Sequence, residues 1–318
     1  MRGVFLDALT MKLEELDTSA LHNSLDHWDF HDTTSSAQTA ERIADAQVVI
    51  TNKVVLNREI LAQAQQLKLI CVCATGTNNI DLEAALEFGI PVRNVQGYAG
   101  ASVPQHTLAL ILALASRWHL YHQEVMAGQW SQSDVFCLLD HPVVELSGKT
   151  LGIIGYGELG RKVARLGEAL EMRVLIAESS SGKKQGNRVP LAQLQAESDV
   201  ISLHCPLTEQ TKKLIDRNFL AAVKPGALIV NTARGGLVDE DALAESLRSG
   251  KLGGAALDVL SEEPPPASHP LLNKDIPNLI ITPHNAWISR ESRQRLLDGV
   301  VENIRSWKQE TSHRSPKK

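Results

Sequence analysis

No C-x-x-C pair, no surplus of basic charge and no apolar run long enough to cross a bilayer occurs in this chain of 318 residues. Each absence removes a class of function. The four cysteines, Cys71, Cys73, Cys137 and Cys205, lack the spacing of a zinc or dithiol motif, and three lie in or beside apolar runs. They read as reduced core residues of a cytoplasmic protein. With 32 Lys and Arg against 37 Asp and Glu, the net charge of -5 offers nucleic acid no basic face. Residues 1–7 (MRGVFLD) are too short an apolar stretch for a signal peptide. The longest apolar segment, around 108–115, falls well below the ~20 residues of a spanning helix and suits a buried one. Internal repeats and low-complexity segments are also missing. The expectation is a soluble protein with neither nucleic acid nor membrane as partner.

What the chain does have is two alternating arrays. A hydrophobic fraction of 43% over this length is too much for one ordinary core and comfortable for two. In the first hundred residues, 3–8, 48–51, 67–73 and 91–95 read as strands. Residues 57–66 and 81–88 carry helical patterning, the latter opening on an Asp81 N-cap. One long helix is expected over 103–121, with Ser102 as N-cap and Pro104 in its first turn. The second array places strands at 151–156, 172–178, 199–205, 227–233, 254–260 and 279–284. A polar-patterned helix over 289–308 and a disordered basic tail over 313–318 follow. Alternation of this kind implies parallel sheets covered by helices, an α/β fold. The stretch 129–145 carries Trp130, Phe136, Leu138 and Leu139 without periodicity, so it should pack against something, a second subunit being the candidate.

Gly155-Tyr156-Gly157-Glu158-Leu159-Gly160 is a G-x-G-x-x-G. Alone it would be a weak signal. Here it follows an apolar strand and opens a helix, and Glu178 ends the next strand roughly 20 residues further on, where a ribose hydroxyl needs a carboxylate. A carboxylate there repels a 2′-phosphate and favours NAD. Ser179, Ser180, Ser181, Lys183 and Lys184 follow it and could hold that phosphate, so NADP stays open.

Three more segments end strands of the same array. Arg234 in NTARGG suits a planar carboxylate, which its guanidinium fork grips with two hydrogen bonds. His284 in TPHNAW can move a proton near neutral pH, and Glu263 in SEEP can hold its ring in one tautomer. Each has a plainer explanation: a surface ion pair, an acidic turn, a strand-end histidine. Ligands bind beyond the carboxyl ends of strands in open α/β sheets, so the three together favour chemistry. His119 and His122, three apart with no third ligand in sequence, read as surface histidines, and no metal is expected. Lys53 and Trp287 stay undecided between a binding cleft and simple solvation or packing.

GYGELG (155–160), HCPLT (204–208), NTARGGLVDEDAL (231–243), ALDVLSEEP (256–264) and TPHNAWIS (282–289) give the chain, over nearly its whole length, a resemblance to the D-isomer-specific 2-hydroxyacid dehydrogenases. ATGTNNID (74–81) and GASVPQHT (100–107) look most like the branch that reduces hydroxypyruvate or glyoxylate. One departure stands at 104–105, where Pro104-Gln105 replaces an expected Ala-Glu. The resemblance implies two doubly wound parallel-sheet domains, a Rossmann coenzyme domain (98–287) inserted into a flavodoxin-like substrate domain (1–97 and 288–318). It implies Arg234, Glu263 (not Glu262) and His284 as the catalytic set. It puts Asp258 on the nicotinamide carboxamide and Cys205, Pro206, Leu207 and Thr211 around adenine and ribose. Thr232, Ala233, Arg234 and His284 would complete the coenzyme contacts, with Glu158 and Leu159 between the glycines. Backbone amides of Thr75, Gly76 and Thr77, with Arg234, would take the substrate carboxylate. A homodimer is implied too. The alternatives are a D-lactate or phosphoglycerate type of substrate, or a dinucleotide-sensing scaffold of the same fold.

Overall fold

Val48–Thr51, Leu69–Val72, Val200–Leu203 and Ala227–Asn231 are buried at every position, so their side chains are covered on both faces of a sheet. The computed structural model describes residues 1–179 and 188–314. It divides into two units, Met1–Ala99 with Ile288–Lys318, and Gly100–Trp287.

The smaller unit alternates β1 (Arg2–Phe5), α1 (Ser19–His22), β2 (His27–Phe30), α2 (Ser36–Ile43), β3 (Val48–Thr51), α3 (Arg58–Gln63), β4 (Leu69–Val72), α4 (Leu82–Glu87) and β5 (Val92–Asn94). Its five strands are all parallel in the order β2-β1-β3-β4-β5, the flavodoxin-like order. Asn57 and Asp81 cap α3 and α4 by accepting the amides of Ile60 and Ala84.

The larger unit opens on α5 (Ser102–Ser116) and α6 (Trp118–Met126). It continues through β6 (Thr150–Ile154), α7 (Glu158–Ala169), β7 (Arg173–Ala177), β8 (Arg188–Val189), α8 (Leu191–Glu197), β9 (Val200–Leu203), α9 (Arg217–Ala222), β10 (Ala227–Asn231), α10 (Glu240–Arg248), β11 (Leu252–Leu257) and β12 (Leu279–Ile281). The order β12-β11-β10-β9-β6-β7-β8, parallel throughout, is the Rossmann order, with its reversal between β6 and β9. Leu110, Ile111 and Leu114 of α5 pack on one face of this sheet with Leu151, Ile153 and Val230. The chain then returns to the smaller unit as α11 (Arg290–Arg314), which packs against β4 and β5.

Four expectations need correcting. The edge strands β2 and β8 escape the sequence pattern, since HWDF is half-exposed and RV is two residues long. The single helix over 103–121 is two, because Arg117 adopts a left-handed φ of 51° and its amide closes α5 on Ala113. Ser102 is the first residue of α5 and not its cap, its hydroxyl being used elsewhere. The C-terminal helix runs on to Arg314, so part of the expected tail is helical, while residues 315–318 lie outside the described residues. Among the described residues no helix is long and apolar enough to cross a membrane, and no cluster could hold a metal ion.

Candidate active site

The three glycines of the phosphate turn meet three different demands. Gly155 has φ 98°, and a Cβ there would come within 2.4 Å of the Cys205 backbone nitrogen. A Cβ on Gly160 would come within 2.1 Å of the Gly155 carbonyl oxygen, so the helix must start tight against the strand. Gly157 would meet nothing within 4 Å. It caps α7 at the edge of open space, where Glu158 and Leu159 begin a helix whose unpaired amides attract an anion. The turn thus has a tight bend, a clear approach and a close packing point, which a pyrophosphate requires. Glu178 lies just beyond β7, exposed, its amide donating to the Val189 carbonyl. Ser180, Ser181, Lys183 and Lys184 lie outside the described residues.

Across the sheet reversal, the loop after β9 is shaped by Thr211. Its hydroxyl donates to the Pro206 carbonyl (2.7 Å) and accepts the Thr208 amide (2.8 Å). Cys205 is half-buried, which pushes its thiol up, and Leu207 is exposed. His204 was not singled out from sequence. Burial drives its imidazole down to about 4, and its Nε2 meets the Ser202 hydroxyl at 2.9 Å.

Asn231 ends β10 and pins the next turn, accepting the Ala233 amide (3.0 Å) and donating to the Arg234 carbonyl (2.8 Å). Arg234 is half-buried, with Nη1 on the Ala233 carbonyl at 2.7 Å. Thr232 meets the Thr107 hydroxyl of α5 at 2.9 Å. Gly235 has no room for a side chain, since its Cβ would lie 1.9 Å from the Leu260 carbonyl carbon. The Arg234 turn therefore rests directly on the loop that carries Glu263.

Glu263 and His284 meet at 2.7 Å, Oε2 to Nδ1. The other glutamate oxygen accepts the Leu260 amide at 3.0 Å, which fixes the carboxylate in its own loop. With Nδ1–H directed at Glu263, Nε2 becomes the ring atom at which a proton can be taken or given. The pair is neither sealed nor free in solvent, its side chains being 28% and 32% exposed. The Glu263 loop is anchored a second time through Glu240 of α10. That carboxylate accepts the Ser261 amide and hydroxyl and meets the buried His269 ring at 3.2 Å. Sequence reasoning passed over Glu240 and His269, although both flank the motif.

His284 itself has φ 52°, and its turn hangs on Asp258. That side chain is 1% exposed. Its two oxygens accept the Asn285 amide (2.9 Å), the Ala286 amide (3.0 Å) and the Thr282 hydroxyl (2.6 Å). Any contact between Asp258 and a nicotinamide would share oxygens already engaged. The Asn285 side-chain oxygen is buried with no partner, an acceptor that a bound amide would satisfy.

In the smaller unit, Thr75, Gly76 and Thr77 follow the carboxyl end of β4. Thr75 is held from both sides, its hydroxyl donating to the Val95 carbonyl and its carbonyl accepting the Asn94 amide group. Lys53 follows β3, exposed, with its amide on the Asp7 carboxylate at 2.6 Å. Trp287 is half-buried. His119, expected on the surface, is half-buried with an unpartnered Nδ1, and burial lowers its pKa.

The family model described as D-isomer specific 2-hydroxyacid dehydrogenase, NAD binding domain, matches residues 108–286. A glycerate dehydrogenase of Methylorubrum extorquens is 41% identical over 306 residues, 96% of this chain and 95% of that one. A hydroxypyruvate reductase of Blautia hydrogenotrophica is 38% identical over 311 residues, 96% of each. The crystal structure of an Aquifex aeolicus D-lactate dehydrogenase with NAD and lactic acid superposes with a TM-score of 0.82 at 30% identity, covering 98% of this chain and 96% of that one.

Proposed function

The chain belongs to the D-isomer specific 2-hydroxyacid dehydrogenases, and from that membership we infer that it is an NAD-dependent oxidoreductase of small D-2-hydroxy acids, acting on glycerate and hydroxypyruvate or on glycolate and glyoxylate. The observation that carries the chemistry is the 2.7 Å contact between Glu263 and His284 in the same unit as the glycine turn. A dinucleotide sensor has no use for such a proton relay.

The residues of the larger unit fit the coenzyme. The open approach at Gly157 suits its pyrophosphate, Glu178 its ribose hydroxyls, and the 205–211 loop its adenosine end. When bound, the nicotinamide supplies or accepts the hydride. The protein supplies the rest. Arg234 grips the carboxylate of the acid and stabilises charge developing on the keto oxygen. His284 delivers the proton from Nε2 in reduction and removes it in oxidation, while Glu263 keeps the ring aligned. Backbone amides at Thr75, Gly76 and Thr77 take the substrate carboxylate. Glu178 supports a preference for NADH over NADPH. Free buried thiols at Cys71 and Cys73 fit a reducing, cytoplasmic setting. Trp130, Phe136 and Leu139, exposed to 52%, 89% and 83%, support a homodimer through this excursion. Light scattering at micromolar concentration should give twice the chain mass, and a monomer would remove the claim.

The test of the activity is NADH oxidation across a panel of 2-keto acids. Hydroxypyruvate and glyoxylate should give the highest kcat/KM, and pyruvate a lower one. No turnover with any member of the panel would overturn the reading. A higher kcat/KM with NADPH would overturn the role of Glu178.

A further inference from the structure

We infer that His106, on the second turn of α5, is a positioning residue for proton transfer at His284, acting through Thr282 and Asp258. The inference rests on the functional reading above and adds a residue to it. It starts from a conformation that needs support. His284 is at φ 52°, in the left-handed region that residues other than glycine seldom occupy. Its amide donates to the carbonyls of Asp258 (2.8 Å) and Thr282 (2.9 Å), and the next two amides go to the Asp258 carboxylate. The ring direction therefore depends on where that carboxylate is held.

Proton counting determines the rest of the chain. Thr282 has one hydroxyl hydrogen, and at 2.6 Å it is given to Asp258 Oδ1. The contact between Thr282 Oγ1 and His106 Nε2 at 3.0 Å then has only one workable direction, with His106 donating Nε2–H. His106 fixes the hydroxyl rotor and polarises it toward the carboxylate, the cooperative case for hydrogen bonds in series. The same nitrogen lies 3.5 Å from Asp258 Oδ1, so it faces the carboxylate as well as the hydroxyl. Ser102, one turn earlier on the same face of α5, donates to the Ala286 carbonyl at 2.6 Å. One helix face thus holds both ends of the 282–286 turn, His106 at its start and Ser102 at its finish, with His284 between them.

The test compares His106→Leu, which removes the donor, with His106→Gln, whose side-chain amide restores one at similar reach. In amide NMR spectra of the coenzyme-free full chain, the Asn285 and Ala286 signals report their bonds to Asp258. His106→Leu should move both upfield and speed their exchange about tenfold, and His106→Gln should recover most of the change. In kinetics, His106→Leu should lower kcat about tenfold with KM for coenzyme and keto acid within about threefold, again with recovery in His106→Gln. Thr282→Val breaks the same link from the other side. Combined with His106→Leu it should add little, as expected for residues acting in series. If the leucine variant does not fold, Thr282→Val carries the same amide measurement. Unmoved amides, a glutamine variant no better than leucine, or additive losses would overturn the inference. The amide result needs no substrate, so a wild-type chain inactive on keto acids would sink the functional reading and leave this measurement standing.

Discussion

Asp7 in the smaller unit and Asp258 in the larger are the same mechanical part put to different use. Each lies just beyond a strand, β1 or β11, and takes backbone amides from the loop after a neighbouring strand, β3 or β12. Asp7 accepts from Asn52, Lys53 and Val54, with Lys53 closest at 2.6 Å. Burial raises its pKa, and those three amides and Thr51 work against the rise. Asp258 accepts from Asn285 and Ala286 but also from a hydroxyl backed by an imidazole. Around Asp7 the close contacts are backbone amides, and the one side-chain hydroxyl, that of Thr51, stands off at 3.5 Å. The turn that carries the His284 ring is held at φ 52°, an uncommon conformation, and Asp258 beneath it is braced by a close side-chain hydroxyl as well as by amides.

The contrast can be broken most directly at His284. His284→Ala should cost about two to four powers of ten in kcat in both directions, the worth of a positioned acid/base, while KM for the keto acid moves by less than about threefold. A loss under tenfold in coenzyme-linked assays would place the proton chemistry elsewhere. In the smaller unit the effect should fall on binding. Gly76→Pro removes one backbone donor, and losing a hydrogen bond to a charged carboxylate, worth about 1.5–3 kcal/mol, should raise KM by roughly tenfold to a hundredfold. If kcat alone fell, the amides at 75–77 would not be the carboxylate cradle.

The smallest effect is on stability, and its sign separates the units. His204 is held at about 4, below the ~6.5 of an unfolded histidine. As pH falls from 6.5 toward 4 the unfolded chain gains a proton that the native one refuses. Stability present above 6.5 is lost across that window, by at most about 3 kcal/mol. Asp7 works the other way. Its raised pKa means the native chain keeps a proton the unfolded one has released, so its contribution falls as pH rises through the folded value. Hydrogen exchange read separately in the two units at pH 4.5 and 7 checks this. His204→Gln should reduce the acid sensitivity of the larger unit and leave the smaller unit unchanged. An unchanged slope in the larger unit would show that His204 is not the group responsible.

Much of this was visible in sequence because it rests on patterns local to the chain. Continuous apolar runs mark strands buried on both faces, and G-x-G-x-x-G between a strand and a helix marks the phosphate turn. What escaped was non-local or lacked its usual residue. Arg117 breaks the long helix in a conformation where glycine or asparagine would have been the signal. HWDF alternates polar and aromatic residues over only four positions and runs half-exposed at an edge, too short a pattern to stand out. The brace under His284 joins residues 106, 258 and 282, and no spacing rule connects them. Serine before a helix is usually its cap, while the Ser102 hydroxyl reaches the Ala286 carbonyl. A histidine one turn along from it was the available hint.

The connectivity of the two units also sets an order of events on the ribosome. The larger unit is one uninterrupted segment, whereas the smaller one is finished only by α11. Leu296, Leu297, Val300, Val301, Ile304 and Trp307 of that helix are all buried, and a Cβ on Gly299 would come within 2.5 Å of Val95. At ~5–20 residues per second, the first strands wait roughly 10–40 s while residues 100–287 are made. During that interval the larger unit can close its own sheet, and the face that α11 will cover stays open. At those rates the apolar sheet surface of the smaller unit stays uncovered for roughly 10–40 s before α11 reaches it.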